Sequence, residues 1–267
     1  MSPQAKLEDT PVGDLVRGSE HRAVVLSRLG IDYCCGGETL LGEACTRRGL
    51  SVDEVQRALA DSDCAHAATD TVDWTEESLT RLADHIVARH HAYLRDMLPG
   101  LGNLMEDILA KHPIAYPSLA ALRDVYVAMW DELCSHMMKE EVVLFPYIRS
   151  METADRSGVL CTNEFPCGSV LAPIHVMREE HREAADALKR MRELAGGFRP
   201  PRDACNSYRV LMAGLREMEE DLHLHIHKEN NILFPRAVRL EASLRQPMAV
   251  QISHSAVQHC AAFEGGP

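Results

Sequence analysis

The sequence predicts an all-α protein: an antiparallel four-helix bundle preceded by a small helical N-terminal domain. The composition favours helices, because Ala, Leu, Glu, Arg and Met are plentiful while Val, Ile and aromatic residues are sparse. Four long segments each carry a single apolar stripe with the spacing of an amphipathic helix. Two of those segments end in the same pattern, H-x-x-x-E-x-x-x-L-F-P, which begins at His136 and again at His225.

The small helical domain is expected to occupy residues 1–60. One of its helices ends at Gly30, a glycine C-cap, and another begins at a capping box at Ser51 and runs through Leu59. Residues 61–73 are polar and rich in Ala and Thr, which predicts a linker. We therefore expect a separate domain that can move relative to the bundle.

The bundle is expected to span residues 74–240. Asp73 is a suitable cap for its first helix, which would begin at Trp74. An irregular segment is predicted over residues 150–168, and residues 241–267 are predicted to form a tail with weak periodicity. The apolar stripes of the four helices run over residues 79–98, 122–143, 174–191 and 211–232.

Polar residues interrupt the apolar stripes. Each stripe contains a histidine, and two stripes also contain a glutamate four residues later, on the same helix face. A single core histidine is most often only hydrogen-bonded, but burying a carboxylate is costly without a compensating charge. Two buried glutamates would also repel each other, and a divalent cation removes both costs. A metal site is therefore predicted, and a purely structural bundle is the weakest alternative. The six candidate ligands are His91, His136, Glu140, His181, His225 and Glu229.

The ligand types restrict the metal. Imidazole and carboxylate without thiolate suit iron, manganese or zinc. Four histidines and two glutamates are too many for one tetrahedral zinc and favour two octahedral, non-haem iron ions. Each iron would take two histidines, while Glu140 and Glu229 would bridge the two ions together with an oxo or hydroxo group.

The remaining histidines are expected to lie off the core stripes. His112 falls about 30 Å along the helix from His91, too far for the same site if the helix is continuous, so its role as a further ligand stays open. Glu180 is adjacent to His181 and could point into an access channel. The histidines expected to face away, or to lie at the surface or just outside the ligands, are His85, His90, His175, His223 and His227.

Two adjacent cysteines, Cys34 and Cys35, precede a Gly-Gly turn. A disulfide between neighbouring cysteines is strained, which argues against a structural bridge. A glycine turn should leave both thiols accessible, which favours redox, nitrosation or metal chemistry. The alternative is that they are two small residues before a turn, and the spacing leaves both interpretations open.

The charge balance limits the partners. Acidic residues outnumber basic ones, 40 against 28, and the net charge of -12 argues against nucleic acid or an anionic membrane as a partner. No uninterrupted apolar stretch reaches about 18 residues, so no membrane span is predicted. The nine cysteines include no C-x-x-C pair, and no secretory signal is visible, which favours the cytoplasm.

Three runs of sequence carry a resemblance to known proteins. They are D-Y-C-C-G-G at residues 32–37, S-H-M-M-K-E-E at 135–141 and E-N-N-I-L-F-P at 229–235. With the histidines of the stripes, residues 74–240 resemble the hemerythrin-like domain. Together with the N-terminal domain, nearly the whole chain resembles the iron–sulfur cluster repair di-iron protein family.

The resemblance implies a cytoplasmic, stress-induced protein that helps to restore iron–sulfur clusters damaged by nitric oxide or peroxide. It implies a labile di-iron centre that donates iron and reacts with nitric oxide. Apo or damaged iron–sulfur proteins would be the partners, and a homodimer is one possible assembly. In this interpretation Cys34 and Cys35 are the catalytic pair, acting in transfer to clients or in nitric oxide chemistry. Two alternatives stay open: an enzyme that reduces nitric oxide, and a di-iron sensor.

Overall fold

The computed structural model is helical, as the sequence predicts. In the part of the chain that the structure describes, the helices are joined by turns, and an isolated antiparallel bridge links Pro11 and Leu40. Among the described residues, no helix combines the length and apolar character needed to cross a membrane. The structure describes residues 7–66, 72–112, 114–157 and 168–245.

Over residues 7–66, the part that the structure describes, the N-terminal domain consists of a short turn and four helices. They are a 3₁₀ turn (Leu7–Asp9), α1 (Val12–Val16), α2 (Glu20–Arg28), α3 (Leu41–Arg48) and α4 (Val52–His66). Helix α4 begins with the expected capping box, in which the Glu54 amide donates to the Ser51 hydroxyl at 3.2 Å and the Ser51 amide donates to the Glu54 carboxylate at 3.0 Å. The helix ends at His66 rather than at Leu59.

Within the described residues, seven further helical segments form the bundle. They are α5 (Leu79–His85), α6 (Ala92–Lys111), α7 (Leu119–Lys139), α8 (Phe145–Ser157), α9 (Leu171–Leu194), α10 (Asn206–His227) and α11 (Phe234–Arg245). Three π-helical turns connect α5 to α6, α7 to α8 and α10 to α11, so that four long helices result. These turns are Ile86–His91, Glu140–Leu144 and Lys228–Leu233. Helix α7 packs on α6 and α9, and α6 also packs on α10.

Some predicted boundaries are wrong. Helix α5 begins after Ser78, whose hydroxyl accepts a hydrogen bond from the Arg81 amide at 3.0 Å, and not at Trp74. The Asp73 carboxylate instead accepts from the Thr75 amide within a turn.

The bundle is also more helical than predicted after residue 150. Helix α8 runs on to Ser157, through the first part of the segment predicted to be irregular. Helix α11 continues to Arg245, past the predicted start of the tail. The rest of the predicted irregular segment up to residue 167, and residues 246–267 of the tail, lie outside the described residues.

The two L-F-P runs coincide with the ends of two π-helical turns. Pro146 and Pro235 each lie in the first turn of the helix that follows. Proline has no N–H to donate to the preceding turn, so it interrupts the regular hydrogen-bond ladder, and the wider π turn lies where that interruption falls. Glu140 and Glu229 lie within these two turns.

Two apolar clusters fill the interior. One joins the N-terminal domain to α6, α7, α9 and α10, and the other joins α5, α8 and α11 to the first turns of α9. Buried histidines and glutamates occupy the layer between the clusters. The middle of the bundle is therefore polar.

The N-terminal domain is docked on the bundle, although the sequence suggested a separate domain that can move. The amide nitrogen of Asn231 donates to the carbonyl oxygens of Tyr33, at 3.0 Å, and of Cys34, at 3.3 Å. The Lys228 ammonium lies 2.7 Å from the Glu20 carboxylate. Both of these contacts are made by the π turn that also contains Glu229.

We predict that Gly37→Ala weakens this docking. A Cβ atom at Gly37 would lie 2.4 Å from Oδ1 of Asn231, which would have to give up its bonds to the docked loop. The free energy of unfolding should fall by about 2 kcal/mol, measured by denaturant titration. Gly100 has nothing within 4 Å, so Gly100→Ala is the matched control and should not destabilise the protein. Equal stability of the two variants would contradict this docking geometry.

Candidate metal centre

The structure brings all six predicted ligands to one level of the bundle. Each of the four long helices contributes one histidine, and two also contribute the glutamate of the repeated motif. None of these six residues is more than 3% exposed. They are His91, His136, Glu140, His181, His225 and Glu229.

Glu140 faces histidines from two helices. Its Oε2 atom lies 3.3 Å from Nε2 of His91, and its Oε1 atom lies 3.4 Å from Nε2 of His136. The two oxygens therefore point toward different partners.

Glu229 has the same arrangement on the opposite side. Its Oε1 atom lies 3.1 Å from Nε2 of His225, and its Oε2 atom lies 3.1 Å from Nε2 of His181. Each carboxylate could therefore serve two adjacent positions at once.

The four imidazoles form two pairs. The Nε2 atoms of His91 and His225 are 3.1 Å apart, and so are those of His136 and His181. Each pair, together with both glutamates, forms a group whose ligand atoms all lie within 4.8 Å of one another. The two groups share Glu140 and Glu229.

The donor atoms fit a metal ion. Ligand atoms about 2.1 Å from a common ion, at right angles to each other, would be about 3 Å apart, as the imidazole nitrogens are. Within the described part of the chain, neither oxygen of Glu140 receives a hydrogen bond, nor does Oε2 of Glu229. Buried carboxylate oxygens without donors are costly, and a cation would satisfy them.

Both carboxylates are ionised in spite of their burial. Burial and the charge of Glu229 raise the pKa of Glu140, but the nearby His136 and His91 outweigh them and leave its pKa below the ordinary value. Burial also raises the pKa of Glu229, and the histidines beside it more than reverse this, so that its pKa lies well below the ordinary value.

Protonated imidazoles balance these charges when no metal is bound. Burial lowers the pKa of His136, but the carboxylates of Glu140 and Glu180 raise it to about 10. The pKa of His91 is also raised, because Glu140 and other carboxylates outweigh burial. Protons and metal ions therefore compete for the same nitrogen atoms.

A set of neighbouring side chains orients three of the histidines. Nδ1 of His91 lies 2.6 Å from the Glu141 carboxylate, which also accepts from Arg95 at 2.7 Å. Nδ1 of His136 lies 2.8 Å from the Glu180 carboxylate. A hydrogen on Nδ1 leaves the Nε2 lone pair free to bind a metal, and a carboxylate partner increases the basicity of the ring.

Nδ1 of His181 completes this pattern, because it lies 3.0 Å from Oδ1 of Asn230. Glu141, Glu180 and Asn230 each follow or precede a ligand on their own helix, yet each orients a histidine of another helix. The sequence offered one signal for them, which is adjacency to a ligand, and only Glu180 was singled out.

His225 is supported differently. Within the described residues its Nδ1 atom has no hydrogen-bond partner, but its ring stacks on that of His90 at 5.4 Å between centroids and an angle of 2°. His90 is held by the Asp221 carboxylate at 3.0 Å and by Lys228 at 2.9 Å. The expectation that His90 faces away is therefore wrong, because it packs inside the bundle against a candidate ligand.

The other histidines lie farther out. His85 packs on Trp74 with ring centroids 4.1 Å apart. His227 is buried against Tyr33, while His175 is exposed, as expected. His112 follows the last residue of α6, which is continuous from the π turn that contains His91, so it is not part of this group.

The two adjacent cysteines lie beside the centre, but Cys34 is not accessible. It is 4% exposed, and its Sγ atom lies 3.3 Å from the Asp32 carboxylate. A side-chain hydrogen bond with Cys35, burial and the nearby Asp32 carboxylate raise the pKa of the Cys34 thiol. Cys35 is partly exposed, and its thiol lies 3.6 Å from the carbonyl oxygen of His181. The expectation of two accessible thiols is therefore wrong for Cys34, because the loop that contains it is buried where the N-terminal domain docks on the bundle.

A cavity of about 140 Å³ reaches the centre between α7, α9 and α10. Its buried end is formed by His136, His181 and His225. Glu132 and Glu183 are exposed at its other end, and its walls include apolar side chains such as Leu133. Nearby Glu180 also lines the cavity, in agreement with the expectation of an access channel.

Two family models match the chain. The Hemerythrin HHE cation binding domain matches residues 82–237, and a Domain of Unknown function (DUF542) matches residues 8–63.

Curated relatives are similar along most of their length. The iron–sulfur cluster repair protein YtfE of Pectobacterium carotovorum (strain PC1) is 34% identical over 233 residues, 87% of this chain and 98% of the relative. The protein of the same name from Escherichia coli O81 (strain ED1a) is 34% identical over 234 residues, 86% of this chain and 97% of the relative. A probable iron–sulfur cluster repair protein of Haemophilus influenzae is 36% identical over 214 residues, 78% and 87% of the two chains.

We predict that Glu180→Ala lowers metal affinity by about tenfold or more, because His136 loses the carboxylate that fixes its orientation. Competition with a chromophoric chelator measures this affinity. Glu183→Ala is the matched control, since this exposed carboxylate lines the same cavity and should leave affinity unchanged. Equal metal affinity of the two variants would contradict the orienting role of Glu180.

We also predict that metal binding releases protons. The pKa of His136 in the metal-free protein is about 10, above the ordinary value of 6.5, so its imidazole is protonated at neutral pH and must lose that proton to bind a metal. Affinity for Mn²⁺ should therefore rise between pH 6 and 8, by about tenfold per pH unit for each proton released. Calorimetry in buffers of different ionisation enthalpy counts these protons, and an affinity independent of pH would contradict the assignment.

Proposed function

We propose a function from the premise that this chain belongs to the hemerythrin HHE cation-binding family and, over most of its length, to the iron–sulfur cluster repair proteins. It is a repair protein that restores damaged iron–sulfur clusters in other proteins by supplying iron. The observation that carries the proposal is the pair of buried glutamates, each of which directs its two oxygens toward histidines of different helices.

The proposed cargo is two iron ions, each taken by one of the two ligand groups. Glu140 and Glu229 would bridge the two ions, because both groups contain both carboxylates. Carboxylates are hard donors that hold ferric iron more tightly than ferrous iron, so reduction should ease release. The terminal ligands would be His91 and His225 for one ion, and His136 and His181 for the other.

The cavity between α7, α9 and α10 is the proposed route for iron. It connects buried ligands to exposed carboxylates at Glu132 and Glu183, which can attract a cation from solvent. Nearby Glu180 keeps a pKa of about 2, since it accepts a hydrogen bond from His136, and so stays negatively charged. Iron leaving the centre would therefore meet carboxylate oxygens along its way.

The proposed clients are apo or damaged iron–sulfur proteins, and the proposed compartment is the cytoplasm. Cys34 and Cys35 are the groups proposed to act during transfer to a client or on nitric oxide; the Cys35 thiol contacts the carbonyl oxygen of His181, and the carbonyl oxygen of Cys34 contacts Asn230. The thiol of Cys34 must first be uncovered for such chemistry, because the protonated, buried form is a poor nucleophile.

The experiment that tests this proposal combines analysis of the bound metal with a measurement of iron transfer to a client protein. Protein purified without oxygen should contain about two irons per chain, and incubation with an apo iron–sulfur hydratase should restore hydratase activity as that iron is lost. The double variant Glu140→Gln, Glu229→Gln should hold no iron pair and restore nothing, whereas the exposed control Glu217→Gln should behave as wild type.

Three outcomes would contradict parts of the proposal. Two irons retained by the double variant would refute the ligand assignment. Two irons in the wild type without recovery of the client would refute repair by iron supply. Zinc in place of iron would refute the identity of the cargo.

A further inference from the structure

A cleft lies between the N-terminal domain and the bundle, where the end of α2 and the loop before the two cysteines face α9 and α10. It consists of two adjoining cavities of about 600 and 500 Å³. Cavities of this size hold small organic ligands in many proteins. The residues that line both cavities are Ser27, Arg28, Arg192, Glu219 and His223. We call this space the interdomain cleft.

The balance of charge in the interdomain cleft is the reverse of that in the whole chain. Six lining side chains are cationic and four are anionic, whereas the chain has 28 basic and 40 acidic residues. The cationic side chains are Arg28, Arg48, Lys189, Arg192, Arg199 and Arg216, and the anionic ones are Asp32, Asp186, Glu219 and Glu220. Among the described residues, all of these cations except Arg192 lack an ion-pair partner. They are available to an anion from solvent.

Arg192 is held in a fixed orientation by a buried carboxylate. Glu219 is only 2% exposed, and its two oxygens accept hydrogen bonds from Nε of Arg192, at 2.9 Å, and from Nη2. The guanidinium group also lies over the ring of Phe198, 5.4 Å from the centroid. A guanidinium group has five N–H donors, so the donors that Glu219 does not use can bind a second oxyanion. This part of the cleft is therefore preorganised.

Both domains contribute cations to the interdomain cleft. Arg28 is the last residue of α2, and the guanidinium group of Arg48 lies against the turn that follows, because a Cβ atom on Gly30 would be 3.4 Å from its Cζ atom. Arg199 follows α9, and Arg216 lies on α10. An anion in the cleft would therefore be bound from the N-terminal domain and from the bundle at once.

The side chains of the interdomain cleft restrict the kind of ligand. Arginine binds carboxylate and phosphate groups through paired N–H donors, and several guanidinium groups around one space suit a ligand with more than one such group. The net charge of -12 opposes a long polyanion such as nucleic acid, so the ligand should be small. Ile31 and Tyr33 are also part of the lining, and they can contact the organic part of such a molecule.

We propose that the interdomain cleft binds a small organic molecule with two or more carboxylate or phosphate groups, held by Arg28 of the N-terminal domain and by Arg192 and Arg216 of the bundle. The bound molecule would join the two domains at a second place, in addition to the contacts that Lys228 and Asn231 make with the N-terminal domain. The inference goes beyond the proposed function and does not depend on a bound metal.

The test is isothermal titration calorimetry of the full-length, iron-loaded protein without oxygen, with two probes. Propane-1,2,3-tricarboxylate represents carboxylate ligands and lacks the hydroxyl group through which citrate chelates iron, and fructose 1,6-bisphosphate represents phosphate ligands. One of them should bind once per chain, and the stronger one identifies the class of ligand. Acetate should bind at least about tenfold more weakly, since it has a single carboxylate. Iron analysis after each titration excludes chelation as the source of heat.

Variants on each side of the interdomain cleft locate the binding. Arg28→Ala and Arg216→Ala should each weaken binding of the stronger probe by about tenfold, because each removes charge-assisted hydrogen bonds. Arg239→Ala is the matched control, since Arg239 is an exposed arginine of α11 that does not line the cleft and has no ion-pair partner among the described residues. It changes the net charge equally and should leave affinity unchanged. Unchanged helical circular dichroism in the variants excludes unfolding as the cause.

Four results would overturn the inference. They are the absence of binding by either probe up to about 10 mM, acetate binding as strong as that of both probes, and equal weakening in all three variants, which indicates attraction by net charge alone. Weakening by Arg216→Ala but not by Arg28→Ala would restrict the site to the bundle and overturn binding between the domains. A protein that binds the probe but restores no client would contradict the proposed function and leave this inference standing.

Discussion

The burial of two carboxylates in the middle of the bundle is the constraint on which the rest of the structure depends. Glu140 and Glu229 are fully buried and lie between two apolar clusters, where an ionised carboxylate is costly without compensation. Four histidines surround them. His91 and His136, whose pKa values the carboxylates raise, supply positive charge in the metal-free protein, and all four rings could bind a cation in the loaded one. The layer is stable because its charges balance in either state.

Precise placement of the ligands requires contacts that cross from helix to helix. The π turns place Glu140 and Glu229 toward the bundle axis without ending the helices that carry them. Residues adjacent to the ligands then hold histidines of neighbouring helices, as Glu180 does for His136. A shift of one helix would therefore disturb the ligands of another, which makes the metal centre part of what keeps the four helices in register.

The last π turn contains the candidate ligand Glu229 and is also a surface on which the N-terminal domain docks. Lys228 and Asn231 bind that domain, and Asn230 contacts both a ligand and the cysteine loop. One short segment of chain therefore contacts both a candidate metal ligand and the loop that contains Cys34.

The sequence by itself determined the helical class, the bundle and the six residues that meet in its interior. Spacing is enough for these features, because a helix repeats its faces at a fixed interval and a charged residue on an apolar face needs a partner. It was wrong about His90 and Cys34, and it identified neither Glu141 nor Asn230 as an orienting residue. Only the tertiary structure decided these, since each depends on a contact between elements distant in the chain. Asn230 and Cys34, for example, are separated by 196 positions in the sequence. Local periodicity does not indicate which side chains become buried when one domain docks on another.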